Sequence, residues 1–566
     1  MRWNLKPKPA PEKITTLVES LNIAPMIAEL LVSRGIETFE DARLFFRPNL
    51  SDLHNPYLMK DMDKAVERIE KAIVSGENIM VFGDYDVDGT TAVSLVASYL
   101  KTIYPNVTTY IPDRYAEGYG ISFMGIDYAD DNSISLIIAL DCGIKSLNHV
   151  AYANEKNIDF IICDHHRPGD KIPDAVAVLD PKRLDCDYPY DELCGCGIGF
   201  KLIQALGMNR GQTTGDLVEY LDLVATAIAA DIVPMTGENR ILAKFGLEVI
   251  NSSPRPGIKA LIHQVKKEEL TITDVVFIIA PRINAAGRIK HGNYAVQLLS
   301  EFDFEQAIEF AREIELYNSE RKDLDKQITI EALNQIIDNH EKDRFSTVVY
   351  QENWHKGVIG IVASRLIETY YRPTLVFTKS GEKLAASARS VLGFDVYNAL
   401  EACSEHLEQF GGHMYAAGMT LLEENYENFK NAFENEVKNT ILEEQRKPQL
   451  SIDMELNFAD IDEKTIRILK QFEPFGPQNM TPVFVTKNVF DTGYGKPMGS
   501  NDEHLKLFLK QNNSEGFAAI GFGLGDKYNL VINRKRIEIA YSLSENEWNG
   551  KTSLQLNLKD LHEKQL

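Results

Sequence analysis

Three times between residues 78 and 166 a short apolar run stops on an aspartate. NIMVFG ends at Asp84, SLIIAL at Asp141 and FIIC at Asp164. Apolar runs of this length, alternating with helical stretches, read as buried strands of a mainly parallel sheet. In an open parallel sheet, the crevice at the carboxyl ends of the strands is where ligands bind. The pattern therefore predicts an α/β domain with strands at residues 78–83, 135–140, 159–163 and 175–179 and helices at 90–100 and 217–229. It also gathers acidic groups along one edge of that sheet.

The first strand end is GDYDVDGTTA, with Asp84, Asp86 and Asp88 at alternating positions. If the segment stays extended, alternate side chains point the same way and all three aspartates face the crevice. The third end is Asp164-His165-His166, and Asp231 closes an apolar helix in AIAADIVPM. Like charges this close stay ionised only when positive charge sits among them. Asp and His without Cys suit Mn²⁺, Mg²⁺ or Zn²⁺, and a carboxylate-heavy set favours Mn²⁺ or Mg²⁺. A pair of such ions sharing one carboxylate is the usual device for phosphoester hydrolysis. Local alternatives explain less. DxDxDG resembles the first half of a calcium loop, but TTAVSLV follows Gly89 where the bidentate Glu belongs. Asp141 or Asp164 alone can cap a helix and His166 alone can be a core residue, but four such ends in one domain exceed what caps explain.

At 566 residues the chain is too long for one core. It divides into a helical N-terminal region (1–60), the first α/β domain (61–300), a connecting helix (301–342), a second α/β domain (343–445) and a C-terminal β-barrel (446–566). From residue 293 to 356 there is neither Gly nor Pro, and Ile308, Ala311, Leu316, Leu324, Ile328, Ala332 and Ile336 recur at helical spacing. One helix over 304–340 would be roughly 55 Å long; a helical hairpin is the alternative. Past residue 450 the strands are closely spaced, and the last two flank an Asn549-Gly550 turn. No apolar run approaches a membrane span, and MRWNLKPKPAPEK has no apolar segment behind its charges, so a cytoplasmic, non-membrane protein is expected. The six cysteines form no framework, and Cys194-Gly-Cys196 reads as two small residues in a Gly-rich turn. A net charge of −23 argues against nucleic acid as a partner only if the basic residues are evenly spread, because a binding groove is local.

GDYDVDGTTA, ALDCG, CDHH and AADIVP resemble the four motifs of the DHH phosphoesterase superfamily. PDRYAEGYG (112–120), PRINAAGRI (281–289), WHKGVIGIVASRL (354–366), SARS (387–390), GGHMYAAG (411–418) and EPFGPQN (473–479) are similar to the RecJ family of bacterial exonucleases within it. The resemblance runs from about residue 20 to the end. It implies a DHH-type parallel-sheet domain, a long helix, a second α/β (DHH-associated) domain and an OB-like barrel. The implied activity is 5′-to-3′ exonucleolysis of single-stranded DNA, releasing 5′-mononucleotides with two Mn²⁺ or Mg²⁺ ions, in DNA repair and recombination. The implied partners are single-stranded DNA, a helicase and a single-strand-binding protein, with the enzyme a monomer.

By motif position the resemblance assigns Asp86, Asp88, Asp141, His165 and Asp231 as metal ligands, with Asp141 the bridge and Asp86 and Asp88 on different ions. Asp84 becomes an outer-shell or general-base candidate and His166 a phosphate contact. Arg114, Arg282, Ser387 and Arg389 would hold the terminal 5′-phosphate, since a guanidinium fork suits phosphate. Arg288 is a further substrate candidate, and the arginine that reads most readily as structural. Gly411, Gly412 and His413, read as a Gly-rich turn followed by a donor, would approach the phosphate chain. Some relatives carry His where this chain has Phe82, which questions the symmetry of the two ion sites. Some carry a further domain that this chain has no room for after Leu566. In the barrel, Phe508, Phe517, Phe522 and Arg534-Lys535-Arg536 are single-strand-binding candidates, at least half of the aromatics being core. The alternatives are a DHH phosphodiesterase for short oligonucleotides or cyclic dinucleotides, and a non-catalytic DNA-binding scaffold.

Overall fold

A computed structural model describes residues 1–512, 514–548 and 551–563. The expected Asn549-Gly550 turn lies outside them. The chain opens with a short strand, β1 (Arg2–Leu5), and helices Pro11–Leu21, Pro25–Val32 and Phe39–Phe46. Helix Met62–Ser75 then leads into a five-stranded sheet of β2 (Asn78–Gly83), β3 (Val107–Tyr110), β4 (Ile134–Leu140), β5 (Asp159–Cys163) and β6 (Ala177–Leu179). The order is β3-β2-β4-β5-β6 and every pairing is parallel.

Both faces of this sheet are buried, which is why its strands are apolar without alternation. On β2, Ile79 and Val81 enter one apolar cluster while Met80 and Phe82 enter the other. Helices Val87–Ile103 and Gly195–Asn209 cover the first face, and helices Phe123–Asp131 and Leu147–Glu155 the second. The edge strand β3 was not foreseen, being short and half polar. The helix expected at 90–100 starts earlier, at Val87, because Asp86 caps it. The helix expected at 217–229 becomes a 3₁₀ turn followed by Leu221–Asp231.

The connecting helix is continuous over Phe304–Asp338, 35 residues, or about 52 Å. No hairpin forms. Its first half buries Ala307, Ala311 and Ile314 in the first domain, and its second half packs Ile328, Ala332 and Ile336 against Val358 and Val362 of the second. That second domain has strands β7 (Thr347–Tyr350), β8 (Thr374–Ser380), β9 (Lys383–Arg389), β10 (Gln409–His413) and β11 (Ala416–Leu422), in the order β10-β11-β9-β8-β7.

The C-terminal region contains β12 (Gln449–Ile452), β13 (Met454–Glu455), β14 (Phe484–Asp491), β15 (Lys496–Met498), β16 (His504–Gln511), β17 (Gly516–Gly521), β18 (Ile537–Trp548) and β19 (Lys551–Glu563). Strand β14 pairs with both β16 and β18, which closes β14-β18-β19-β17-β16 into a barrel. The N-terminal helices share its core: Leu17, Ile27, Leu31 and Phe45 pack with Phe472, Phe484 and Tyr541. Strand β1 adds in parallel to β12. The barrel is tied back to the first domain by Arg240, which donates to the backbone carbonyls of Phe45, Gln471, Phe472, Glu473 and Pro474. Among the described residues, no single helix is long and apolar enough to cross a membrane.

Candidate active site

The three aspartates after β2 do not share one extended segment, contrary to the alternation argument. The strand stops at Gly83, Asp86 is the N-cap of the next helix, with its carboxylate accepting from Gly89 N–H at 3.1 Å, and Asp88 lies in the first helical turn. The chain turns at once because Gly89 sits against Asp84, where a Cβ would lie 2.4 Å from the Asp84 carbonyl. Asp84 is buried behind the site and accepts from Gly120 N–H at 3.4 Å. Asp86 is half-exposed.

Asp88 is sealed from solvent, with both oxygens anchored. Gly195 and Cys196 N–H donate to them at 2.6 and 2.7 Å. These amides open helix Gly195–Asn209, whose positive end favours a carboxylate. The Cys-Gly-Cys stretch is therefore a helix start, not a turn. Gly195 also lets that helix approach β4: a Cβ there would lie 2.6 Å from the Cβ of Asp141.

Asp164, at the end of β5, clamps the two histidines. Its Oδ1 accepts from the N–H groups of His165 and His166 at 2.8 and 3.1 Å and lies 2.7 Å from His166 Nδ1, while Oδ2 accepts from Ile144 N–H at 2.8 Å. His165 Nε2 is thereby directed into a ring of carboxylates, 3.1 Å from Asp141, 3.6 Å from Asp231 and 3.7 Å from Asp88. Asp231 arrives from the C-terminus of helix Leu221–Asp231. His166 Nε2 lies 3.2 Å from the Tyr119 hydroxyl.

The electrostatics follow from burial and crowding. Burial, reinforced by neighbouring carboxylates, raises Asp88 to about 6 and Asp231 to about 8, and holds Asp84 and Asp141 well above the usual carboxylate range. Burial and the adjacent His166 charge lower His165 to about 3, leaving a neutral imidazole. His166 goes the other way: burial opposes its charge, but the Asp164 bond and charge raise it to about 9. Asp164 itself, despite burial, is held at about 2 by His166 and the amides around it.

This donor set fits a hard divalent cation. Asp141, His165 and His166 form one group with ligand atoms within 4.8 Å of one another, and Asp88, His165 and Asp231 form another. A neutral imidazole aimed at carboxylates that resist ionisation is the arrangement a cation would relieve. Phe82 offers no ligand; it is buried in the sheet's second apolar cluster and stacks on Tyr110.

A second set of charges borders the first. Arg114 lies over the ring of Tyr85, between Asp84 and Asp86, at 4.6 Å from its centroid. Burial, then the charges of Arg114, Arg389 and Arg321, lower Arg288 to about 10, and burial with Arg114 lowers Arg389. Arg288 donates to Gly357 O at 3.0 Å and Arg389 to Ser387 Oγ at 3.0 Å. Among the described residues none of Arg114, Arg288 and Arg389 pairs with a carboxylate. Arg282 differs: it is bound to Glu315 at 2.6 Å, away from this cluster. Arg288, the arginine that read as structural, thus joins the cluster, and Arg282 does not. Gly411, Gly412 and His413 form the exposed edge strand β10, not a turn, because they pair with Gly418, Ala417 and Ala416. In the barrel, Phe517 packs on Phe458, while Phe508 and Phe522 are exposed.

Several contributors escaped the sequence reading. Tyr85, Tyr119, Arg321 and the Gly195 and Cys196 amides have no local signature that separates them from ordinary loop or helix residues. Asp180 did have one, since AVLDP repeats the apolar run ending on aspartate.

A parallel sheet whose strand ends bring carboxylates and two histidines to one point, faced by a second domain across a helical connector, defines a DHH phosphoesterase. Residues 78–228 match the DHH family, N-terminal domain, and residues 344–439 the DHHA1 domain. Residues 452–560 match the RecJ OB domain. The chain is 38% identical over 565 residues to the single-stranded-DNA-specific exonuclease RecJ of Bacillus subtilis, spanning 99% of this chain and 70% of that one. Its structure resembles Thermus thermophilus RecJ in complex with Mn²⁺, at 26% identity and TM-score 0.86, covering 100% of this chain and 80% of that one. The Mg²⁺ complex of the same protein matches at 25% identity and TM-score 0.78, covering 100% and 79%. This chain belongs to the RecJ family of exonucleases, within the DHH metal-dependent hydrolases.

Proposed function

We propose that this chain hydrolyses single-stranded DNA from its 5′ end, releasing 5′-mononucleotides, in repair and recombination. The observation that carries the reading is the cluster of Arg114, Arg288 and Arg389, without carboxylate partners among the described residues, whose Arg114 lies over Tyr85 between Asp84 and Asp86 in the chain. Cationic groups without a carboxylate partner suit a terminal phosphate, and their place next to the ring sets the scissile phosphate one nucleotide further in. The B. subtilis relative carries single-stranded-DNA specificity in its name.

Asp86, Asp88, Asp141, His165 and Asp231 would hold Mn²⁺ or Mg²⁺, which supplies Lewis-acid polarisation of the phosphodiester and of the attacking water. The protein's own groups do the rest. Arg114, Arg288, Arg389 and Ser387 hold the 5′-phosphate and fix polarity. His166, held through Nδ1 by Asp164 and with Nε2 beside the Tyr119 hydroxyl, contacts the scissile phosphate. Asp84, buried, with burial and the Asp86 charge holding it above the usual carboxylate range, braces the loop from behind. Water adds to phosphorus and loses a proton to solvent, the bond to the 3′ oxygen breaks and that oxygen takes up a proton, the mononucleotide leaves with its own 5′-phosphate, and the attacked phosphate stays on the shortened strand as its new 5′ end. The long helix spaces the two α/β domains, and the exposed barrel residues Phe508 and Phe522 are the candidates to stack on a single strand. A cytoplasmic monomer fed by a helicase and a single-strand-binding protein accords with this substrate.

The test uses long single strands labelled at either end, incubated with Mn²⁺. Early release of the 5′ label as mononucleotide is expected. Early release of the 3′ label, or cleavage of dinucleotides alone, would refute the reading.

A further inference from the structure

We propose that Asp180 is the positioning residue of His165: its carboxylate accepts the Nδ1–H of His165 through one bridging water, and so holds Nε2 on the metal-binding carboxylates. The inference rests on reading the strand-end cluster as a divalent-metal centre.

Asp180 follows β6 as Asp84, Asp141 and Asp164 follow β2, β4 and β5. The bond from Asp164 N–H to Leu179 O, 3.0 Å, ties the ends of β5 and β6 together. In this parallel register Asp164 lies opposite Asp180, and His165 follows one residue beyond, in the segments that leave the two neighbouring strands. Asp180 is 0% exposed, and its Oδ1 accepts from Lys182 N–H at 2.8 Å, but its Oδ2 has no partner. His165 is 6% exposed, and its Nε2 faces Asp141, Asp231 and Asp88, but its Nδ1 has no partner.

Each group lacks what the other offers. An imidazole that binds metal through Nε2 carries its proton on Nδ1 and needs an acceptor there, which fixes tautomer and ring orientation. A carboxylate oxygen sealed from water needs a donor. Asp164, the other nearby carboxylate, is already committed: its two oxygens serve the His165, His166 and Ile144 amides and the His166 ring. The charge of Lys182 acts on Asp180, His165 and Asp231 alike. The Asp180-Pro181-Lys182 turn thus sits at the back of the metal site.

The test combines Mn²⁺ titration calorimetry with ¹⁵N-histidine NMR of the full-length metal-free protein, the His165 signals being assigned with His165→Gln. Wild-type His165 is expected as the Nδ1–H tautomer. Asp180→Ala should erase that preference and weaken Mn²⁺ binding about 10- to 100-fold. Asp180→Asn, which keeps a carbonyl acceptor, should recover most of both. An Nε2–H tautomer in the wild type would overturn the proposal even if Asp180→Ala fails to fold. So would an Asp180→Ala protein with His165 unchanged and affinity within about twofold of wild type. Neither readout depends on DNA cleavage, so the assignment of substrate and polarity can fail separately.

Discussion

The carboxylate ring holds protons that a metal ion must displace, and the number follows from the structure. In the metal-free protein Asp231 is raised to about 8 and Asp88 to about 6. At pH 7 the first is about 90% protonated and the second about 10%, a total of about one proton. Asp141, held well above the usual range, can only add to this. The loaded state binds fewer protons, so raising the pH favours it: affinity for Mg²⁺ or Mn²⁺ should rise about tenfold per unit between about pH 6 and 8, then level off. Calorimetric titration at about pH 7 in two buffers of different protonation enthalpy counts the released protons directly. Asp231→Asn should lower the count by about one and flatten the profile. The same acids bind more protons folded than unfolded. The metal-free protein should therefore lose thermal stability as pH climbs from about 4 to about 8, and metal should restore it. Zero proton release, with affinity constant across that window, would refute the reasoning.

Arg389→Ala should raise KM for 5′-phosphorylated strands about 10- to 100-fold while leaving Mn²⁺ titrations unchanged; lost metal binding would contradict its assigned place. Gly195→Ala puts a methyl 2.6 Å from the Asp141 Cβ and must shift the helix start that anchors Asp88. A drop in kcat of about a hundredfold is expected, measured beside the metal affinity. Arg240→Ala strips the charged donor that ties the first domain to backbone carbonyls of the barrel and the N-terminal helices packed on it, a loss on the order of 3–5 kcal/mol that calorimetry would show as an early transition of the barrel. An unchanged melting profile would mean that the barrel is held mainly by its apolar contacts.

Local pattern carried much of this protein. Apolar runs that end on Asp84, Asp141 and Asp164 marked both a buried parallel sheet and the edge where its chemistry gathers, because strand polarity alone puts those residues together. The long helix was legible from composition and period. What stayed hidden depends on direction rather than identity. Arg282 and Arg288 lie six residues apart on one helix, about 240° around its axis, so only the packing of that helix could send one to Glu315 and the other to the arginine cluster. GGH reads as a turn until β11 is seen beside it. The anchors of Asp88 come from a helix start 107 residues away, an interaction that no short stretch announces. The sequence by itself determined which groups would meet at the strand ends. Tertiary structure decided their partners: burial pushes both Asp231 and Asp164 toward the protonated form, and Asp164 stays ionised because the His166 ring and three backbone amides bond to it, whereas Asp231 faces other carboxylates.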